Sequence, residues 1–150
     1  MDPSNDRAAT EAHDALREMT RSLMFLLGGS PCACGATRCA RCLGRGMEFL
    51  THRLESHFVV EEESWRGIDR PRCDWTTLHW IDRLVDQHAE FRKRLGNLRA
   101  PLERARQAGE PLDAELSAEL RVLLDELVEH ELSEARLFQR SVFEGGSRID

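Results

Sequence analysis

Tyrosine is absent from this chain of 150 residues, and Lys93 is its only lysine. No apolar run approaches the roughly 20 residues that a membrane-spanning helix needs, so we expect no membrane partner. Alternating β-branched runs are also missing, which argues against a sheet. The net charge of −6 disfavours a nucleic-acid partner, because such partners are held by a basic surface. The polar N-terminal stretch lacks the pattern of a secretory signal, and we therefore expect a cytoplasmic protein.

Apolar residues at intervals of three and four predict four helices. Glycines, Pro101 and the capping residues Asp74 and Asp113 place them at about residues 8–27, 47–65, 74–100 and 113–143. The short connection around Gly109 makes the last two helices antiparallel neighbours. The chain is thus predicted to be a single all-α domain, 1–150, with an antiparallel up-down-up-down four-helix bundle. Residues 1–7 and 145–150 are expected to be flexible.

Histidines and glutamates fall on the apolar stripes of these helices. In the last helix, His130 and Glu134 continue a stripe of leucines, and His57 and Glu61 do the same in the second. Burying such groups is costly unless something pairs with them, and His/Glu pairs one turn apart on two helices hold pairs of metal ions in bundles. A hydrogen-bonded polar core is the alternative. The candidate ligands are His13, His57, Glu61, His88, His130 and Glu134.

If Glu61 and Glu134 both bridge, each of two ions receives two histidine nitrogens and two carboxylate oxygens. A shared water-derived bridge would still leave room for a small ligand. Imidazole and carboxylate ligands suit iron, zinc or copper, and we interpret the set as a site for two irons that can meet O2 or NO. The neighbouring Glu62, Glu63 and Glu131 lie off the stripes and are interpreted as solvated charges.

These segments resemble a known family. The stretches 57–61 (HFVVE) and 130–138 (HELSEARLF) are similar to the motifs of hemerythrin-like (HHE cation-binding) domains, and His13 and His88 lie where that family has single ligands in its first and third helices. The resemblance covers roughly residues 8–143, apart from the cysteine insert. It implies an antiparallel four-helix bundle with a non-haem di-iron centre that binds O2, NO or peroxide, or that reports iron and redox state.

The third helix departs from the oxygen-carrying members of that family. Those proteins have two histidines one turn apart, whereas Leu84 and Arg92 flank His88 at that spacing. His79 lies nine residues earlier, about 900° around a helix and so on the opposite face. The chain is more similar to the variant hemerythrin-like domain of the eukaryotic iron-sensing F-box protein. Sensing, or slow oxidase-like chemistry, is therefore expected rather than reversible O2 storage.

A glycine-rich insert at about 28–46 carries four cysteines in a Cys-x-Cys-x4-Cys-x2-Cys run: Cys32, Cys34, Cys39 and Cys42. One zinc held by four thiolates is our leading interpretation. Redox-active dithiols come second, because Cys39-x-x-Cys42 has the spacing of exchange-active thiols. Unliganded cysteines or an iron–sulfur cluster are further alternatives. Cys73 stands alone before the third helix and is interpreted as a loop residue, with a ligand or redox role as its alternatives.

The sequence therefore predicts a protein that binds two Fe ions, and one Zn in the cysteine loop, and that binds or senses O2, NO, peroxide or iron/redox state. A di-iron oxidase or peroxidase-like enzyme is the main alternative, and a structural bundle loaded with zinc is a third interpretation. The two main functions differ in turnover, since an enzyme would consume O2 or peroxide catalytically. No protein partner is indicated by the sequence.

Overall fold

A computed structural model describes residues 3–32 and 34–145. This part of the chain contains four α-helices and no β-strand, which confirms the predicted all-α fold. The helices are α1 (Pro3–Leu27), α2 (Ala40–Arg66), α3 (Trp75–Ala108) and α4 (Ala114–Gly145). A single 3-10 turn, Arg70–Arg72, joins α2 to α3. Of the ends expected to be flexible, residues 1–2 and 146–150 lie outside the described residues.

The four helices share one apolar core. Each helix packs against the next along the chain, and α1 also packs against α4. The main cluster of buried residues is mostly leucine and includes Phe58 and Phe91. A smaller cluster, formed by Ile81, Leu84 and Leu137, packs against Trp65 and Trp80. Along α3 and α4, the polar residues of the candidate site fall between these two clusters.

Helix α2 begins at Ala40 rather than after Gly46, so the predicted insert of 28–46 is too long. The apolar stripe of the helix extends backwards through the buried Leu43, and this packing outweighs the low helix propensity of glycine. Gly46 also has a specific role inside the helix. A Cβ atom at this position would lie 2.5 Å from Leu23 Cδ2, so glycine allows α1 and α2 to approach closely.

Helix α3 continues past Pro101, where the sequence predicted a disturbance, and ends at Ala108. Proline removes one backbone hydrogen bond, but Leu98 and Leu102 on either side of it are buried in the main cluster. The helix ends because Gly109 adopts a left-handed conformation with φ of 71°. Among the residues described, no helix combines the length and the apolar character that crossing a membrane requires.

Candidate metal centre

The six predicted bundle ligands converge in one place, and a seventh residue, Glu131, joins them. Their potential ligand atoms form two groups, within each of which all atoms lie within 4.8 Å of one another. We name these groups the first and the second half-site. The first half-site consists of His13, His57, Glu131 and Glu134, and the second consists of Glu61, His88, His130 and Glu134.

The second half-site is the more buried of the two. The Nε2 atoms of His88 and His130 lie 3.0 Å apart, and both side chains are fully buried. Glu134 Oε1 lies 2.7 Å from His130 Nε2 and 3.3 Å from His88 Nε2. Ligand atoms bonded to one transition-metal ion at about 2.1 Å are separated from each other by roughly 3.0–3.4 Å. The separations in this half-site therefore have the size that one shared ion requires.

The first half-site is wider and reaches towards the surface. His13 Nδ1 lies 2.6 Å from Glu131 Oε2, while His57 Nε2 lies 3.7 Å from Glu131 Oε1 and 3.6 Å from Glu134 Oε2. The His13 side chain keeps 21% of its surface exposed, compared with 9% for His57. Among the half-site residues, His13 on α1 therefore has the largest exposed fraction.

Glu61 and Glu134 each direct one carboxylate oxygen at the first half-site and the other oxygen at the second. Glu134 places Oε1 against the second half-site and Oε2 at 3.6 Å from His57 Nε2 in the first. Glu61 Oε1 lies 3.2 Å from His57 Nε2, and its Oε2 lies 3.5 Å from His88 Nε2. A carboxylate with one oxygen directed at each of two neighbouring positions has the orientation of a bridging ligand.

Glu131 was interpreted from the sequence as a solvated charge, and this interpretation is wrong. Its side chain is only 4% exposed, and it hydrogen-bonds His13 from α1. The prediction treated α4 as having one narrow stripe, whereas α4 packs against both α1 and α3 and buries a wider face. The adjacent Leu123 and Leu124 are both buried. That pair of leucines, one heptad before 130 and 131, was the signal in the sequence.

A second layer of side chains orients the two buried histidines. His88 Nδ1 donates to Glu62 Oε1 at 3.0 Å, and His130 Nδ1 donates to Gln87 Oε1 at 2.8 Å. Arg92 donates to the same oxygen of Glu62 at 2.7 Å. With a proton on Nδ1, each ring directs the lone pair of Nε2 into the half-site. Glu62 is thus partly buried and paired, not the solvated charge that the sequence indicated.

The centre leaves buried polar atoms without hydrogen-bond partners. Among the described residues, these atoms include His57 Nε2, Glu61 Oε2, Glu131 Oε1 and Glu134 Oε2, all of them potential ligand atoms of the half-sites. Unpaired buried polar groups are rare in folded proteins and each needs an explanation. One cation in each half-site would satisfy these atoms.

The pKa values of Glu61 and Glu134 also indicate that the centre needs a positive charge. Burial, together with the nearby negative charge of Glu134, raises the pKa of Glu61 to about 11. Burial acts in the same direction on Glu134, but the surrounding imidazoles, His130 first, outweigh it and hold the pKa of Glu134 well below its ordinary value. Two adjacent carboxylates therefore cannot both ionise cheaply without a positive charge between them.

The four cysteines of the loop also lie together, with sulfur atoms that are all within 4.8 Å of one another. Cys34 Sγ lies 3.5 Å from Cys39 Sγ and 3.9 Å from Cys42 Sγ, and a disulfide joins Cys32 to Cys34. Cys73 is free and does not belong to this group.

No family model, no curated protein and no solved structure matches this chain. The resemblance to hemerythrin-like domains therefore stays a prediction from the motifs.

Proposed function

We propose that the bundle centre binds two iron ions and that the loaded protein binds or senses O2, NO or peroxide, or reports iron and redox state. One observation carries the proposal: four buried ligand atoms lack partners, and three of them belong to carboxylates that lie between histidines. A polar core held by hydrogen bonds alone would leave none of these atoms unsatisfied. The resemblance of the 57–61 and 130–138 motifs to hemerythrin-like domains supports the same function.

Each residue takes a role from its position. His13 and His57 would hold one ion, and His88 and His130 the other, while Glu61 and Glu134 would bridge them. Glu131, which the sequence analysis omitted, would be an additional carboxylate ligand on the side of His13. Mixed imidazole and carboxylate donors suit iron, and His/Glu pairs on the helices of a bundle are an established way to hold two irons. Iron, when bound, supplies the redox chemistry towards O2, NO or peroxide.

The proposal includes the antiparallel up-down-up-down arrangement of the helices. Consecutive helices pack against each other, and five residues, 109–113, connect α3 to α4. So short a connection favours antiparallel neighbours.

Binding or sensing is favoured over turnover of a larger substrate. Among the surface cavities of the described residues, one lies at the α3–α4 connection and another between α3 and α4 around Gln87. None of the seven half-site residues lines either cavity. The exposed edge of His13 brings solvent next to the centre, and a ligand as small as O2, NO or peroxide suits such a position better than a large organic substrate.

Metal analysis of protein produced in iron-rich medium, without chelating tags, tests this function. We expect about two irons per chain in the wild type. His57→Ala should lose iron, because the His57 ring belongs to the first half-site and lies next to both proposed bridging carboxylates. His52→Ala is the matched control, since His52 lies on the same helix but is exposed. Unchanged iron in His57→Ala would contradict the proposal.

Reaction of the reduced, iron-loaded protein with O2 or peroxide separates the two functional classes. A sensor reacts about once per centre and changes its visible spectrum, whereas the oxidase or peroxidase-like alternative consumes the oxidant continuously when a reductant is supplied.

A further inference from the structure

We propose that Cys32, Cys34, Cys39 and Cys42 bind one zinc ion, and that this second metal site fastens the start of α2 to the α3–α4 connection. It is a structural site, separate from the bundle centre. Its ligands are the four thiolates alone.

The spacing of the sulfur atoms fits a single tetrahedral ion. Zinc–sulfur bonds of about 2.3 Å place the sulfurs of a tetrahedral site roughly 3.8 Å apart. Cys34 Sγ lies 3.5 Å from Cys39 Sγ and 3.9 Å from Cys42 Sγ. The fourth sulfur, from Cys32, also lies within 4.8 Å of the others, and in this structure it is bonded to Cys34 Sγ. Once the Cys32–Cys34 bond is reduced, four thiols therefore lie close enough together to bind one zinc ion.

The backbone holds the first two cysteines in a tight turn. Cys32 N–H donates to Ala36 O at 3.0 Å, and Gly35 N–H donates to Cys32 O at 2.8 Å. Gly35 has a φ of 80°, which favours glycine, so the turn depends on this residue. This turn keeps Cys32 and Cys34 at one end of the loop, next to the beginning of α2.

The other two cysteines lie at the beginning of α2. Cys39 is the N-cap residue of the helix, and Cys42 lies in its first turn. Three residues apart on a helix, they share one face and lie at the positive end of the helix dipole. Four thiolates and one zinc leave a charge of about −2. Arg41 and Arg45 act electrostatically on these sulfurs and offset that charge.

The same loop is attached to a distant part of the chain. Cys39 forms an isolated antiparallel bridge with Pro111, and Leu112 N–H donates to Arg38 O at 3.1 Å. Leu112 is buried in the main cluster. An ion held by the cysteines would therefore fix the loop, the first turn of α2 and the α3–α4 connection relative to one another.

The site is well separated from the bundle centre. Along α2, the fifteen residues from Cys42 to His57 span about 22 Å at 1.5 Å per residue. Leu43, Leu50 and Leu54 are buried along this length. The two metal sites can consequently be emptied one at a time.

A disulfide is the competing fate of these sulfurs. The structure joins Cys32 and Cys34 in a disulfide, and zinc binding requires the reduction of this bond, because the bonded pair supplies no thiolate ligands. Zinc binding and a Cys32–Cys34 disulfide exclude one another, so the metal content and the number of free thiols together decide between them.

The test uses the full chain, purified under reducing conditions without chelating tags. We expect about one zinc per chain, released in step with the modification of four thiols by a mercurial reagent. Cys39→Ser and Cys42→Ser should each lose the zinc, and Cys73→Ser, the matched control, should keep it. His57→Ala should also keep the zinc while it loses bundle iron, so the two proposals fail independently.

Cobalt substitution of the wild type keeps the test valid if the serine variants do not fold. An intense visible spectrum typical of tetrahedral thiolate coordination would support the site. Zinc-free protein with a Cys32–Cys34 disulfide would overturn the proposal, and so would iron–sulfur absorption in the loop or zinc retained in both serine variants.

Discussion

The stability of the metal-free protein should fall as the pH rises, and Glu61 should be responsible. Its pKa is raised to about 11 in the folded chain by burial and by the charge of Glu134, against an ordinary value of 4.5. Between these two values the folded state holds one more proton than the unfolded state. The free energy of unfolding therefore decreases by at most about 1.4 kcal/mol per pH unit, or ~3 kcal/mol between pH 6 and pH 8.

Two other groups at the centre also contribute to the pH dependence, but neither alters the comparison with a Glu61 variant. The pKa of Glu134 is lowered by the imidazoles, so its stabilising contribution is complete above the ordinary carboxyl value and is lost only towards acid. Burial opposes the protonation of His13, but the hydrogen bond to Glu131 outweighs it and raises the pKa of His13. That contribution also disappears with rising pH, yet it is present in both proteins compared below and cancels in their difference.

Urea unfolding of chelator-treated protein, followed by helical circular dichroism at pH 6, 7 and 8, measures the effect. Glu61→Gln keeps the shape of the neutral carboxyl without its titration, so the stability of the variant should exceed that of the wild type by a margin that widens with pH. Glu63→Gln, an exposed change on the same helix, should follow the wild type. Parallel pH dependences for Glu61→Gln and the wild type would refute the electrostatic account of the centre.

Two further predictions concern orientation and packing. Glu62→Gln should weaken iron binding by about 10–100-fold, because the carboxylate fixes the ring of His88. Metal titration measures this affinity, and an unchanged affinity would mean that the hydrogen bond does not contribute to iron binding. Gly46→Ala should lower the free energy of unfolding by about 1–3 kcal/mol, since the new Cβ meets Leu23. Gly96→Ala should raise the free energy of unfolding by up to ~1 kcal/mol, because open space surrounds Gly96 and alanine is the better helix former. Equal effects of the two alanines in urea unfolding would contradict the close approach of α1 and α2.

The sequence predicted the ligands best where one apolar stripe defined one face. His57 and Glu61 lie one turn apart on α2, and His130 and Glu134 lie one turn apart on α4. The periodicity of a single apolar stripe was therefore sufficient to predict that these four side chains face the core. It failed for Glu131, because residues 130 and 131 are both buried when a helix contacts two neighbours.

Helix boundaries were less predictable because local preferences compete with packing. Gly44 and Gly46 indicated a loop, and Pro101 indicated the end of a helix, yet all three lie within helices. Their neighbours on the apolar stripes are buried, and that burial outweighs the unfavourable propensity. The pairing of Glu62 with His88 could not be predicted, since the distance between two helices is not encoded in the spacing along either one.

The hydrogen bond between His13 and Glu131 joins residues 118 positions apart in the chain. An ion held at the first half-site would close most of the polypeptide into one loop, and cross-links around loops of that length restrict the unfolded chain by about 4–5 kcal/mol in entropic models. It would also impose an order on biosynthesis. A nascent chain that carries α1, α2 and α3 still lacks His130, Glu131 and Glu134, so the complete centre cannot assemble until α4 has emerged from the ribosome.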